Sequence, residues 1–238
     1  MSRLSGTIRV FAAMLFTLFM AVTAIVTNLL DLKRGRLFHI NNRLWAKGVF
    51  LLCGLRLVVR GIEKLDFTRN YVYVSNHASL LDIPAVIAGV PDQIRLVYKK
   101  ELEKIPVFGW GLRWGSYIGI DRGNRAEAMR SIEEAARKIR EGASAFLYAE
   151  GTRTLDGKLQ PFKRGAFNLA VRSGVPVVPL TINGTFSILP KHSLGINPGT
   201  VELVLDDPIA VDPEGGKEEE LRVMDLVHAS IARAYKDQ

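Results

Sequence analysis

Between Val10 and Leu30 the chain carries no charged residue, and the run is built mainly from Leu, Phe, Val, Ala, Met and Ile. About twenty such residues in helical form suffice to cross the hydrocarbon core of a bilayer. A run this long and this apolar does not suit a core helix in a chain of 238 residues. Whatever follows it must therefore fold beside a membrane surface. A secretory signal is the competing reading, with Arg3 and Arg9 as its basic head. The stretch lacks a small-x-small cleavage site and outruns the usual apolar stretch of a signal, which favours a retained membrane helix.

A second segment follows the basic turn Lys33-Arg34-Gly35-Arg36. Residues 37–59 mix Phe38, Trp45, Phe50 and many leucines with Arg43, Lys47 and Arg56. Cations among Trp and Leu predict a helix lying at the interface, its charges among anionic headgroups. Positive charge flanks the first helix on both sides, so charge sets no orientation. A helical hairpin that enters one leaflet and returns satisfies both flanks, and a single full crossing stays open. Residues 1–56 are read as this membrane-associated hairpin, and residues 57–238 as an α/β domain.

The formal charge of +8 calls for an anionic partner, whether nucleic acid, membrane surface or phosphorylated substrate. The apolar N-terminus selects the membrane bilayer and argues against nucleic acid. The single cysteine, Cys53, excludes an internal disulfide and reads as a small buried hydrophobe. No Cys/His cluster has zinc spacing, so no metal is expected.

Beyond residue 57 strand-like and helical runs alternate. The strands are read at 57–59, 71–75, 94–98, 117–120, 145–149, 177–182 and 201–205, with helices at 83–88, 126–140, 165–172 and 221–236. The helix near 125–141 is clearly amphipathic, with Ala128, Ile132, Ala135, Ala136 and Ile139 on one side and Gly142 as its stop. This alternation predicts a mixed, largely parallel central sheet flanked by helices. Pro179 pushes its strand toward an edge or a bulge.

Four constellations stand at or near predicted strand ends. The first is Ser75-Asn76-His77-Ala78-Ser79-Leu80-Leu81-Asp82, where a carboxylate five positions from an imidazole can hold it in one tautomer as a general base. No Gly-x-Ser-x-Gly surrounds it, so the base would act on a substrate hydroxyl. The plainer reading makes Ser79 and Asp82 a helix N-terminus, and the two weigh equally on these residues alone. His39, His192 and His228 have no carboxylate placed to orient them and read as structural. The second is Ile120-Asp121-Arg122, where Arg122 can grip a phosphate or simply pair with Asp121. The third is Glu150-Gly151-Thr152-Arg153 after an apolar strand, at the edge where open α/β sheets bind ligands. Here Gly151 allows close backbone approach, Thr152 and Arg153 can donate to an anion, and Glu150 can accept from a hydroxyl or hold an Arg; a charged tight turn is the alternative. Lys163 and Arg164 at a helix start, and Lys99 and Lys100 at a strand end, could add to an anion site, though each lysine reads more simply as solvated. The fourth, Val175-Pro176-Val177-Val178-Pro179, is a stiff extended segment that reads as a pocket wall.

In this order and spacing the four resemble the motifs of the glycerolipid acyltransferase family, specifically the bacterial 1-acylglycerol-3-phosphate acyltransferases. The resemblance covers about residues 57–205. It departs mildly at Gly119, where the family often has a bulky apolar residue. It implies transfer of an acyl chain from a thioester of coenzyme A or acyl carrier protein to the free hydroxyl of lysophosphatidic acid. His77 would be the base and Asp82 its orienting group. Arg122 and Arg153 would hold the phosphate, with Lys100 and Lys163 adding to the field. Glu150 would fix the glycerol, with Gly151 and Thr152 beside it. Val175, Pro176 and Pro179 would wall the acyl-donor pocket. Backbone amides of the His77 turn would be the oxyanion donors. No cofactor is implied beyond the thioester co-substrate, and the expected location is the cytoplasmic face of a bacterial inner membrane. Within the family the acceptor could instead be another lysophospholipid or an amino-acid-derived lysolipid. Two readings outside it stand against it: a lipid-binding protein without catalysis, and a metal-dependent phosphoesterase built from His77, Asp82 and Glu150. The latter has fewer ligands than such sites usually gather.

Overall fold

The protein was analysed as a computed structural model that describes residues 3–30, 35–105, 108–114, 117–121, 125–193 and 195–237. Helices α1 (Arg3–Leu30) and α2 (Arg36–Cys53) lead into strand β1 (Leu55–Arg60), which starts two residues earlier than its apolar run indicates. Then come β2 (Val72–Ser75), α3 (Asp82–Gly89), β3 (Ile94–Lys99), α4 (Phe108–Trp114), β4 (Ile118–Ile120), α5 (Arg125–Arg140) and β5 (Ser144–Tyr148). The chain closes with α6 (Arg164–Ser173), β6 (Val177–Asn183), the single turn α7 (Thr185–Ile188), β7 (Gly199–Leu205) and α8 (Gly216–Ala234). The last helix begins five residues before its apolar pattern does. Its first turn is polar, and Glu218 and Glu219 there suit the positive end of the dipole.

The strands form one sheet in the order β1-β7-β6-β2-β5-β3-β4. Neighbours run parallel except β6 and β7, which are antiparallel. Side-chain alternation sorts residues between two cores. Tyr73, Phe146, Val178 and Leu180 face a core shared with α1, α2 and α3. Val72, Val74, Ala145, Leu147 and Val177 face the other, shared with α5, α6 and α8. With both faces covered, the central strands need apolar residues at every position, which is why they read as unbroken hydrophobic runs.

Pro179 lies in β6, an interior strand of the sheet, so the edge placement it suggests is wrong. The bulge it suggests is present. β6 pairs with β7 from Leu180↔Leu205 onward, yet Val177 bridges Ile209, so one extra residue stands on the partner side. The proline's missing N–H falls at that irregular step, while its carbonyl still accepts from the Asp206 amide at 3.0 Å.

The expected pair of membrane helices resolves into two different elements. Among the described residues, only α1 contains a segment, Gly6–Thr27, long and apolar enough to cross a membrane. Helix α2 turns Phe38, Ala46, Val49 and Phe50 into the protein core, with α3 beneath it. Its periodic apolar face covers the sheet, while Leu44 and Leu51 point outward. Helix α1 packs along α2 through small and polar contacts. Gly48 leaves room for the Phe16 ring, Trp45 donates to Thr17 Oγ1 at 3.0 Å, and Thr23 donates to Asn41 Oδ1 at 2.8 Å. Its other face exposes Phe11, Leu15, Phe19, Val22 and Val26.

Candidate active site

Strand β2 ends at Ser75, and the chain leaves the sheet at Asn76. Pairing nevertheless continues for one more step. Asn76 Oδ1 accepts from the Ile182 amide at 2.8 Å and its Nδ2 donates to the Ile182 carbonyl at 2.9 Å. The side-chain amide thus replaces a peptide group of the ladder and frees the following backbone to curl over the sheet edge. His77 is the first residue of that curl.

Three contacts fix His77. Its Nδ1 lies 2.7 Å from Asp82 Oδ2. Its backbone N–H donates to Glu150 Oε1 at 2.7 Å. Its ring lies flat on Tyr148, with centroids 3.6 Å apart and planes 11° from parallel. The carbonyl of His77 also accepts from the Thr154 amide at 2.9 Å, tying the first motif to the third. The imidazole is mostly covered, at 15% exposed, while Asp82 is fully buried.

Asp82 opens α3, and its position is set by a turn it also holds together. Oδ2 accepts from the amides of Ala78 at 2.8 Å and Ser79 at 2.9 Å, as well as from the imidazole. Three donors on one oxygen fix the carboxylate, and an acceptor oxygen facing Nδ1 places the His77 proton there and leaves the lone pair on Nε2. Ser79 Oγ accepts from the Leu81 amide and donates to the Leu189 carbonyl at 2.7 Å. The helix-start reading and the dyad reading therefore describe the same carboxylate. Of the turn's amides, expected as oxyanion donors, those of His77, Ala78 and Ser79 are already bound to Glu150 and Asp82 and do not serve.

Glu150 also differs from expectation. It is 2% exposed, with Oε1 on the His77 amide and Oε2 on the Gln160 amide at 3.1 Å. Both oxygens are used to join the third motif's loop to the first, so Glu150 positions the site and leaves no free oxygen for a glycerol hydroxyl. Burial raises its pKa to about 7, against the pull of those two amides and with a further push from Asp82.

The rest of the loop is held open. Gly151 has φ 69°, in the left-handed region that favours glycine, and the stem of Lys163 runs 3.1 Å from where a Cβ would stand. Gln160 Nε2 donates to Asp156 Oδ1 and to the Lys158 carbonyl, and Tyr235 Oη donates to the Gly157 carbonyl. Thr152 and Lys163 are exposed and Arg153 half-buried. Among the described residues no carboxylate pairs with Arg153 or Lys163. The neighbouring Arg164, by contrast, pairs with Glu220 at 3.1 Å.

Lys100 is exposed at the start of a 3-10 turn after β3. Arg122 lies outside the described residues. Val175 and Pro176 precede β6 and stand at the opposite edge of the sheet from His77. Pro176 accepts from the first residue of β2, whereas His77 follows the last. Val175 packs into the core under α6 and α8, and Pro179 sits mid-strand beside Val74. The proline run therefore shapes the sheet and does not wall the site. Sequence reasoning missed the amide bridge of Asn76 and the stack of Tyr148, whose only signal is an aromatic closing a strand two residues before Glu150.

The arrangement offers an imidazole held by a buried carboxylate, beside cationic side chains on the adjoining loop that no carboxylate among the described residues pairs with. The Acyltransferase family model matches residues 56–183. A chloroplastic 1-acyl-sn-glycerol-3-phosphate acyltransferase of Brassica napus is 35% identical over 183 residues, covering 76% of this chain and 53% of its own length. One from Cocos nucifera is 31% identical over 222 residues, covering 88% of this chain and 70% of its own length. The crystal structure of the 1-acyl-sn-glycerophosphate acyltransferase of Thermotoga maritima superposes with a TM-score of 0.80 at 29% identity, covering 98% of this chain and 94% of that one. The chain thus spans about half the length of the plant plastid relative it matches at 35% identity, and nearly all of the bacterial structure.

Proposed function

The chain belongs to the Acyltransferase family, and on that premise we propose that it transfers a fatty acyl group from a thioester to the sn-2 hydroxyl of 1-acylglycerol 3-phosphate. The product is phosphatidic acid. The observation that carries this reading is the His77–Asp82 pair at 2.7 Å, with Nε2 left free of any partner among the described residues.

His77 Nε2 takes the proton from the lipid hydroxyl as its oxygen attacks the thioester carbonyl carbon. Asp82 holds Nδ1–H and stabilises the imidazolium that results. The tetrahedral intermediate then breaks its carbon–sulfur bond, and the thiolate leaves with the proton returned by His77. Arg153 and Lys163, which pair with no carboxylate among the described residues and stand on the loop that Glu150 ties to His77, receive the phosphate of the acceptor. Holding hydroxyl and thioester together supplies a large part of the rate. The step needs neither metal nor organic cofactor. The thioester, of coenzyme A or acyl carrier protein, is a co-substrate.

Helix α1 keeps the enzyme at the bilayer that holds acceptor and product. Extracting a lipid into water costs roughly 0.8 kcal/mol per exposed CH2. The positive charge of the chain concentrates anionic lipid at the surface. The location that fits a thioester donor and this anchor is the cytoplasmic face of a bacterial inner membrane. Product analysis tests the reading: purified protein, lysophosphatidic acid in vesicles, and matched thioesters of both carriers, followed by mass spectrometry. Phosphatidic acid with the new chain at sn-2 is expected. Transfer only to a lysolipid without a terminal phosphate monoester would overturn the acceptor assignment.

A further inference from the structure

The face of His77 is occupied as well as its Nδ1. Register pairs Ser75 of β2 with Tyr148 of β5, so the curl that begins two residues after Ser75 comes down on the last side chain of the neighbouring strand. The rings meet at 3.6 Å and 11°. Tyr148 is braced from behind by Phe146, edge-on at 4.8 Å and 86°, and Phe146 is itself 1% exposed. The platform is therefore fixed by the core. The Tyr148 hydroxyl is buried and has no hydrogen-bond partner among the described residues. Burial of that kind disfavours a tyrosine unless its ring gains elsewhere, since Tyr Oη normally finds a partner when covered.

We propose that Tyr148 is a positioning residue for acyl transfer, whose ring holds the His77 imidazole in its working plane and stabilises the imidazolium formed when Nε2 takes the substrate proton. This rests on the general-base reading of His77. An aromatic face carries negative quadrupole density and attracts a cation stacked upon it, while a neutral imidazole gains much less. The contact therefore strengthens as the proton arrives, which is when it contributes to rate. It also blocks rotation of the ring away from Asp82. The ring does this work, and the hydroxyl is dispensable.

The test compares Tyr148→Phe, Tyr148→Leu and Tyr148→Trp with wild type, measuring kcat/KM against pH for lysophosphatidic acid. Tyr148→Phe and Tyr148→Trp keep a π face and should stay within about threefold of wild type. Tyr148→Leu should lose at least about tenfold in kcat, as expected for a loosened base. Its acid limb should also move to lower pH by about 0.5 unit, because the imidazolium has lost its stacking partner. The limb's midpoint does not depend on how much of the variant folds, so partial misfolding cannot mimic the shift. An unmoved limb in Tyr148→Leu, or a loss in Tyr148→Phe equal to that in Tyr148→Leu, would overturn the proposal. Absence of acyl transfer by the wild-type protein would instead overturn the general-base reading beneath it.

Discussion

Glu150 shows how a carboxylate can belong to a site without facing its substrate. Its charge is buried and, among the described residues, answered by the amides of His77 and Gln160. Desolvation outweighs them and carries the pKa to about 7. The sign of the consequence follows from linkage. A carboxyl whose folded pKa is raised binds its proton more tightly in the folded state. The stability it confers is complete below the ordinary value of about 4.5 and is lost as pH climbs through about 7. The loss is on the order of 3 kcal/mol. Thermal melts from pH 4.5 to 8 should therefore show wild type losing ground steadily to Glu150→Gln. Parallel curves for the two proteins would show that Glu150 is not strained by burial. Position along the chain placed this residue at the correct sheet edge. Which way its side chain turns depends on the amides of residues 77 and 160, a contact no local pattern encodes. The approach of His77 to Asp82 was legible because both lie within one turn, but choosing a dyad over a helix start took the Glu150–Arg153 motif and the apolar N-terminus as well.

At the scale of elements, the departure of the chain from β2 makes the site. Asn76 supplies one further rung to β6 through its amide, so the backbone can rise while the sheet stays closed. Asn76→Ala removes the two hydrogen bonds that the Asn76 amide makes to the Ile182 backbone, each worth about 0.5–1.5 kcal/mol. A loss of about 1–3 kcal/mol for the two bonds together is expected by denaturant titration, accompanied by reduced transfer as His77 loosens. A midpoint unchanged from wild type would contradict the bridge. The strands and the long amphipathic helix α5 were readable because burial on both sheet faces or one helix face imposes a period on the sequence. Pro179 misled halfway. Its missing donor identified an irregular step, but a bulge satisfies that need in an interior strand as well as an edge does. Helix α2 misled by a related route. Its apolar face and its cations fit a bilayer interface and a sheet surface equally, and only the packing of Phe38, Val49 and Phe50 into the core separates the two.

At the scale of the whole molecule, α1 and the site lie close together. The start of α1 touches the loop that follows α7, where Gly6 meets the Ile196 backbone, and that loop's Leu189 carbonyl is held by Ser79 of the His77 turn. The helix exposes a row of large apolar side chains along its outer face. The start of that helix and the His77 turn are thus joined through one loop. The proposed reaction separates binding from chemistry: the apolar face and cations would bring the acceptor, and the imidazole would act on it. His77→Asn tests the separation most directly, because Asn keeps a polar side chain of similar reach but cannot take the proton. Turnover on lysophosphatidic acid vesicles should fall by at least about 10²–10⁴-fold, while sedimentation with those same vesicles stays at the wild-type level. Turnover within tenfold of wild type at equal vesicle binding would contradict His77 as the base.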